Sequence, residues 1–175
     1  DGVVVEWGFS AGGGFLPVPT APIGQTYNEI SAGGDLKVGR LGPASTFDRL
    51  GVGCAGILPV SQLIPRSTPM VGEDFQVRVT NLPFGVAAMG MSLDAPAAPV
   101  NLGAIGMPGC IGYLGMGALL TIQGTGSTAD FVLPIPDNPS MVGVTFRLQA
   151  LVVDSTATNA AGLVASDAYE GRVGM

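Results

Sequence analysis

The chain of 175 residues is long enough for one domain of ordinary size, with or without a short arm. Only 11% of its residues are charged, 47% are hydrophobic and 28 are glycine, so few side chains are left to keep a free surface solvated. The net charge of −6 and the scattered Lys and Arg residues argue against nucleic acid or a polybasic membrane patch, and the absence of histidine excludes every imidazole-dependent triad.

The first 50 residues are predicted to form an extended N-terminal arm or a small extra β segment. Residues 3–7 are a strand candidate, the glycines at 12–14 offer a hinge, and Pro17, Pro19 and Pro22 follow. The start of the arm is β-prone and too apolar to lie free in water. We therefore predict that it contacts a neighbouring subunit by adding a strand to that subunit's sheet; pairing inside its own sandwich is the alternative. The predicted contact residues are Val3, Val4, Val5, Trp7 and Phe9.

Residues 51–175 are predicted to form one compact β-sandwich domain. Phe75, Val77 and Val79 alternate with polar residues, as in a half-buried strand. Residues 146–153 alternate as well and then turn apolar on both faces, which predicts a central strand. Further strand candidates are residues 86–93, 110–114, 118–122, 129–133, 163–166 and 169–173. Short strands at this spacing predict an all-β, antiparallel sandwich, immunoglobulin-like or jelly-roll-like.

Two segments depart from the strand pattern. Residues 137–142 are predicted to form a short helical turn, capped by Asp137 or Asn138 and ended by Gly143. Residues 95–129 carry no charge at all, but their prolines and glycines argue against a helix that spans a membrane. We expect buried β-structure there and no insertion into a membrane.

The two cysteines, Cys54 and Cys110, allow two interpretations: buried free thiols or a disulfide. Both lie in Gly-rich, turn-like settings, and a chain that begins with Asp1 instead of Met is expected to be a processed, exported product. These features favour the disulfide.

Several segments after residue 52 carry a resemblance to a known family. They are Gly53-Cys54-Ala55-Gly56, Pro69-Met70-Val71-Gly72 with Phe75, Asn81-Leu82-Pro83, Gly106-Met107-Pro108-Gly109-Cys110, and Pro134-Ile135-Pro136-Asp137-Asn138-Pro139. Together they resemble an uncharacterised Gly/Pro-rich β-sandwich domain found at the C-terminus of large secreted bacterial proteins. The resemblance covers residues 53–174 and implies export and a Cys54–Cys110 pair, but no established activity.

Motifs that suggest catalysis or cofactors lack their required context. Gly8-Phe9-Ser10-Ala11-Gly12 matches a nucleophile elbow without a histidine, and Gly51-Val52-Gly53-Cys54-Ala55-Gly56 matches a dinucleotide fingerprint without a following helix. The nearest carboxylate pairs are Glu73 with Asp74 and Asp167 with Glu170, and we interpret them as solvated edges. Three isolated aspartates, Asp35, Asp137 and Asp154, do not make a calcium loop. We predict no enzyme activity, no catalytic residue, no cofactor and no metal site.

Low charge, high Gly content, an arm and a disulfide-tied domain favour self-assembly. The predicted function is an extracellular structural protein that is secreted or at the cell surface and forms a homopolymer such as a filament, tube or coat. The alternative is a secreted adhesive or carbohydrate-binding module, with surface glycans as partners and Trp7 as the stacking platform.

Overall fold

A computed structural model describes residues 3–9, 15–33, 36–56, 58–96 and 98–175. The strands, in chain order, are β1 (Val3–Phe9), β2 (Phe15–Leu16), β3 (Gln25–Gly33), β4 (Leu36–Pro43), β5 (Thr46–Gly51), β6 (Leu63–Pro65), β7 (Asp74–Val79), β8 (Val86–Ser92), β9 (Val100–Asn101), β10 (Ile111–Gly112), β11 (Ala118–Gln123), β12 (Ala129–Pro134), β13 (Thr145–Val153) and β14 (Leu163–Arg172). Two short 3₁₀ helices span Leu102–Ile105 and Pro139–Met141. Within these ranges no helix has the length and apolar character needed to span a membrane.

Two antiparallel sheets form the main body. A five-stranded sheet, in the order β11-β8-β13-β14-β5, packs on a three-stranded sheet in the order β12-β7-β6. The inward side chains of β7, such as Phe75 and Val77, and those of β13, such as Leu148 and Val152, are fully buried in one cluster. Alternating burial along both strands is what a two-layer sandwich requires. The predicted all-β sandwich is confirmed.

Strand β13 lies at the centre of the larger sheet, between β8 and β14, as its apolar sequence predicts. Its outward residues are covered unevenly. Leu151 packs against the buried pair Met107 and Cys110, whereas Val153 keeps 42% of its surface exposed. The expectation of full burial on both faces is therefore wrong at Val153, because the segment that covers the outer face does not reach that end of the strand.

Strand β14 is continuous where the sequence suggests two strands. Its pairing with β13 shifts in register near Ser166, because β14 has one more residue than β13 at this point and forms a β-bulge. The Ser166 hydroxyl accepts a hydrogen bond from the Ala150 N–H at 2.8 Å and donates one to the Asp167 carbonyl at 2.6 Å. The Ser166 hydroxyl thus takes the place of a backbone acceptor for the Ala150 N–H, and β14 continues past the bulge.

The strands β1 to β4 form a separate four-stranded sheet, in the order β2-β1-β4-β3. Trp7 is buried at its centre, edge-on to Tyr27 with ring centroids 5.4 Å apart. The indole lies directly over Gly39, where a Cβ atom would come within 2.6 Å of it. The Tyr27 hydroxyl donates a hydrogen bond to the Pro19 carbonyl, which ties the Pro-containing loop to the sheet. This region is thus folded as a small extra β segment.

The sandwich begins before residue 51. Residues 46–50, which were predicted to belong to the N-terminal segment, form with Gly51 the strand β5, the edge strand beside β14. Phe47 explains this placement, because its ring stacks on Tyr169 at 4.7 Å and meets Phe75 edge-on at 4.9 Å. The predicted helical turn also occurs: the Asn138 side chain accepts a hydrogen bond from the Ser140 N–H and caps the 3₁₀ helix.

Candidate functional site

A disulfide between Cys54 and Cys110 fastens a loop onto the outer face of the five-stranded sheet. Cys54 is anchored to β14, because its N–H donates to the Ala165 carbonyl at 3.0 Å and its sulfur accepts from the Ala165 N–H at 3.1 Å. Cys110 is buried beside Met107 and Ala165. The bond closes 56 residues of chain, a loop worth about 4 kcal/mol in the chain-entropy account.

Gln149 of β13 holds the same loop at a second point. Its side chain is 3% exposed, although it points away from the sandwich core. Its Oε1 accepts from the Tyr113 N–H at 3.0 Å, and its Nε2 donates to the carbonyls of Ile111 and Ser166 at 2.9 and 3.1 Å. The sequence pattern does not predict this role for Gln149, because a glutamine at this position of an alternating strand is expected to face solvent.

The fastened loop and the outer face of the sheet enclose an open cavity of about 220 Å³. Apart from Gln149, its walls are apolar or glycine. They include Val100, Leu102, Ile105, Gly112, Leu114, Leu119 and Leu151. Because the Gln149 amide already makes three hydrogen bonds, the cavity presents little polar chemistry to a ligand.

The surface around the cavity is apolar as well. Met116 is 92% exposed, and Leu119 and Ile105 are 63% and 62% exposed. All three belong to the uncharged stretch of residues 95–129. Across the sheet, Arg147 and Glu170 are bound to each other at 2.8 Å. We call the cavity with its exposed wall residues Ile105 and Leu119, together with the exposed Met116 shortly before β11, the apolar face.

The carboxylates that the sequence analysis considered do not converge on a catalytic site. Glu73 and Asp74 are exposed side by side, and Glu170 is used by Arg147. Asp167 is buried, and its Oδ1 accepts from the Leu63 N–H at 2.7 Å. Burial raises the pKa of the Asp167 carboxyl, while the Leu63 N–H and the charge of Arg49, 3.7 Å away, oppose the rise.

Asp154 is, among the carboxylates whose burial is described, the second buried one, and it stabilises a turn. Its Oδ1 accepts from the Thr156 N–H at 2.9 Å and from the Thr156 hydroxyl at 2.5 Å. Its Oδ2 lies against Gly56, where a Cβ would come within 2.2 Å. Within the described residues no three Cys, Asp or Glu side chains are grouped as metal ligands.

The structure describes only part of the two glycine motifs, the nucleophile-elbow match at residues 8–12 and the dinucleotide match at residues 51–56. Ser10 and the glycines at 12–14 lie outside the described residues. Gly51 ends β5, and Cys54 is in the disulfide; the described residues that follow, to residue 62, contain no helix. The absence of enzyme activity stays a prediction.

The five predicted subunit contacts, Val3, Val4, Val5, Trp7 and Phe9, all lie in β1. Within a single chain, β1 pairs with β4 from Val3 to Gly8 and with β2 at Gly8 and Phe9. In this arrangement β1 has a partner in its own N-terminal sheet and not in the sandwich. Contact with a neighbouring subunit stays a prediction. Trp7, the candidate sugar platform, is 4% exposed and presents no ring face to solvent.

No family model, no curated protein sequence and no solved structure matches the chain. The resemblance to a domain of secreted bacterial proteins therefore stays a prediction.

Proposed function

We propose that this protein is an extracellular structural protein that self-assembles into a homopolymer. The observation that carries the proposal is the apolar face, where a leucine, an isoleucine and a methionine are each more than 60% exposed. Monomeric soluble proteins rarely leave contiguous apolar surface open to water, and such patches mark interaction sites.

The disulfide supports an extracellular location. Disulfides form and persist in oxidising compartments and are rare in the cytosol of mesophiles. Cys54–Cys110 secures the loop that builds the apolar face, so the proposed surface depends on an oxidising environment.

A copy of the same chain is the proposed partner of the apolar face. Each chain has a net charge of −6, so two copies repel each other at long range. Contact through apolar side chains limits this repulsion, whereas contact through an acidic surface would oppose like charges directly.

The N-terminal sheet offers a second contact, which a polymer requires. If β1 of one copy replaced β1 of its neighbour, the six residue pairs between Val3–Gly8 and Leu36–Leu41 would form again between chains. Such an exchange preserves the pairing and changes only its connectivity, the general logic of domain swapping. Strand exchange through the arm is therefore part of the proposal.

Binding to surface glycans is the weaker alternative. It depended on Trp7 as a stacking platform, and Trp7 is enclosed by Tyr27 and the strand at Gly39. No other observation in the described residues favours a sugar site.

Size-exclusion chromatography with light scattering, followed by negative-stain electron microscopy, tests self-assembly in the oxidised full chain. We expect species larger than a dimer and regular polymers on the grid. A monomer at every concentration, together with micromolar binding to a glycan, would replace the proposal with its alternative.

A further inference from the structure

The sandwich has four edge strands, which are the places where another chain can add a strand. They are β11 and β5 in the larger sheet and β12 and β6 in the smaller one. Exposed edges carry unpaired backbone groups, and natural proteins protect them with charges, prolines or short strands.

Three of these edges are protected. Strand β5 carries the exposed charges of Asp48 and Arg49, and β6 is three residues long and ends at Pro65. Strand β12 ends at Pro134 and carries Asp130, held by Arg78 through two hydrogen bonds of 2.7 Å. A neighbour's strand would have to displace or desolvate these groups.

Strand β11 has none of these protections. Its six residues, Ala118–Gln123, read ALLTIQ, without charge or proline. Five of the six are exposed, including Leu119 at 63% and Leu120 at 46%. Within the described part of the chain, β11 pairs with β8 along one side and leaves its other side unpaired. An exposed edge strand that has apolar side chains and neither charge nor proline is a site where another chain can pair.

We infer that β11 pairs with β11 of a second copy, antiparallel and across a twofold axis. The two five-stranded sheets would then join into one sheet of ten strands. An antiparallel pair of identical strands is compatible with a twofold axis. If residue i of one copy pairs with residue j of the other, then residue j of the first copy pairs with residue i of the second. Leu119 lies on the cavity side of the strand, so the same contact brings the apolar faces of both copies together.

This inference rests on the proposed self-assembly and identifies one of its two interfaces. A twofold contact closes as a dimer and cannot extend by itself. The β11 pair and the exchange of β1 would alternate along a polymer.

A lysine substitution in β11 of the oxidised full chain tests whether this strand pairs with β11 of a second copy. We expect Leu119→Lys to lower the weight-average mass in solution at least about twofold, because each copy loses one neighbour and the pair would have to bring two added ammonium groups into an apolar contact. Val132→Lys is the matched control, since Val132 is 47% exposed on the protected edge β12. It should assemble like the wild type. Wild-type assembly by Leu119→Lys would overturn the inference.

A cysteine scan along residues 118–123 locates the axis. Cross-strand disulfides need Cα atoms about 4.4–6.8 Å apart, so only positions close to the twofold axis can join to themselves. We expect oxidised dimers at one or two adjacent positions and none for Val132→Cys, with the native disulfide verified by peptide mapping. If the wild type assembles but no position in β11 cross-links, pairing of β11 between two copies is refuted, while the proposed self-assembly is not. A wild type that is monomeric throughout refutes both.

Discussion

Replacing Gln149 with leucine tests whether one buried amide holds the loop that forms the apolar face. The variant loses three hydrogen bonds and leaves the Tyr113 N–H and the carbonyls of Ile111 and Ser166 without their partner. A buried polar group left unpaired costs about 1–3 kcal/mol, and the added apolar contact with Leu151 offsets part of the sum. We expect the free energy of unfolding to fall by about 2–4 kcal/mol.

Chemical denaturation of the oxidised protein measures this loss, and hydrogen exchange of the Tyr113 amide shows whether it is local. Gln76→Leu is the control, because Gln76 is exposed on β7 and its replacement should change stability by less than about 0.5 kcal/mol. The role of Gln149 in holding the loop would be refuted by two results together: a free energy of unfolding for Gln149→Leu within about 0.5 kcal/mol of the wild type, and a Tyr113 amide that stays protected from exchange.

Three further predictions follow from the structure. Cys54→Ala with Cys110→Ala should cost about 4 kcal/mol in denaturation experiments, whereas two free thiols in the intact mass of the native wild type would contradict the bond. Asp167 has a raised pKa in the folded state, so it favours folding most when protonated and its contribution falls as the pH rises above about 4. Asp167→Asn keeps an oxygen for the Leu63 N–H, so the wild type should lose more stability than this variant between pH 4 and 7, and parallel profiles would show that the carboxyl is not responsible. Deleting residues 1–11 removes β1 and should leave the melting transition of the sandwich and the β11 dimer intact while polymers disappear; polymers that persist, or an unfolded sandwich, would rule out strand exchange.

Local sequence patterns predicted the strands whose side chains alternate. Phe75, Val77 and Val79 face the core because strand periodicity is two, and no long-range information is needed to see it. The cap at Asn138 is also local, since its side chain reaches the amide two residues ahead.

The missed elements depend on distant partners. Strand β3 is polar and contains glycine, and it forms a strand because β4 lies beside it. Residues 46–50 were assigned to the arm because neither the stacking of Phe47 on Tyr169 nor the pairing with β14 can be inferred from their own sequence. Gln149 was missed for the same reason, because its three partners are 17 to 38 residues away.

The apolar face was not predicted. The uncharged stretch of residues 95–129 was interpreted as buried β-structure, and this is wrong for most of the stretch: among its described residues only Met107, Cys110, Ile122 and Ala129 are buried. Met116 and Leu119 of the same stretch lie at the surface, because no described part of the chain covers the unpaired side of β11 and the end of the fastened loop. Composition indicates that apolar residues exceed what one core needs; only the fold shows where the excess lies.

Light scattering of the oxidised full chain over a range of concentrations tests self-assembly most directly. We expect a mean mass that exceeds that of a dimer and rises with concentration, and that falls for Leu119→Lys but not for Val132→Lys. A mass fixed at 17.6 kDa at every concentration would contradict it.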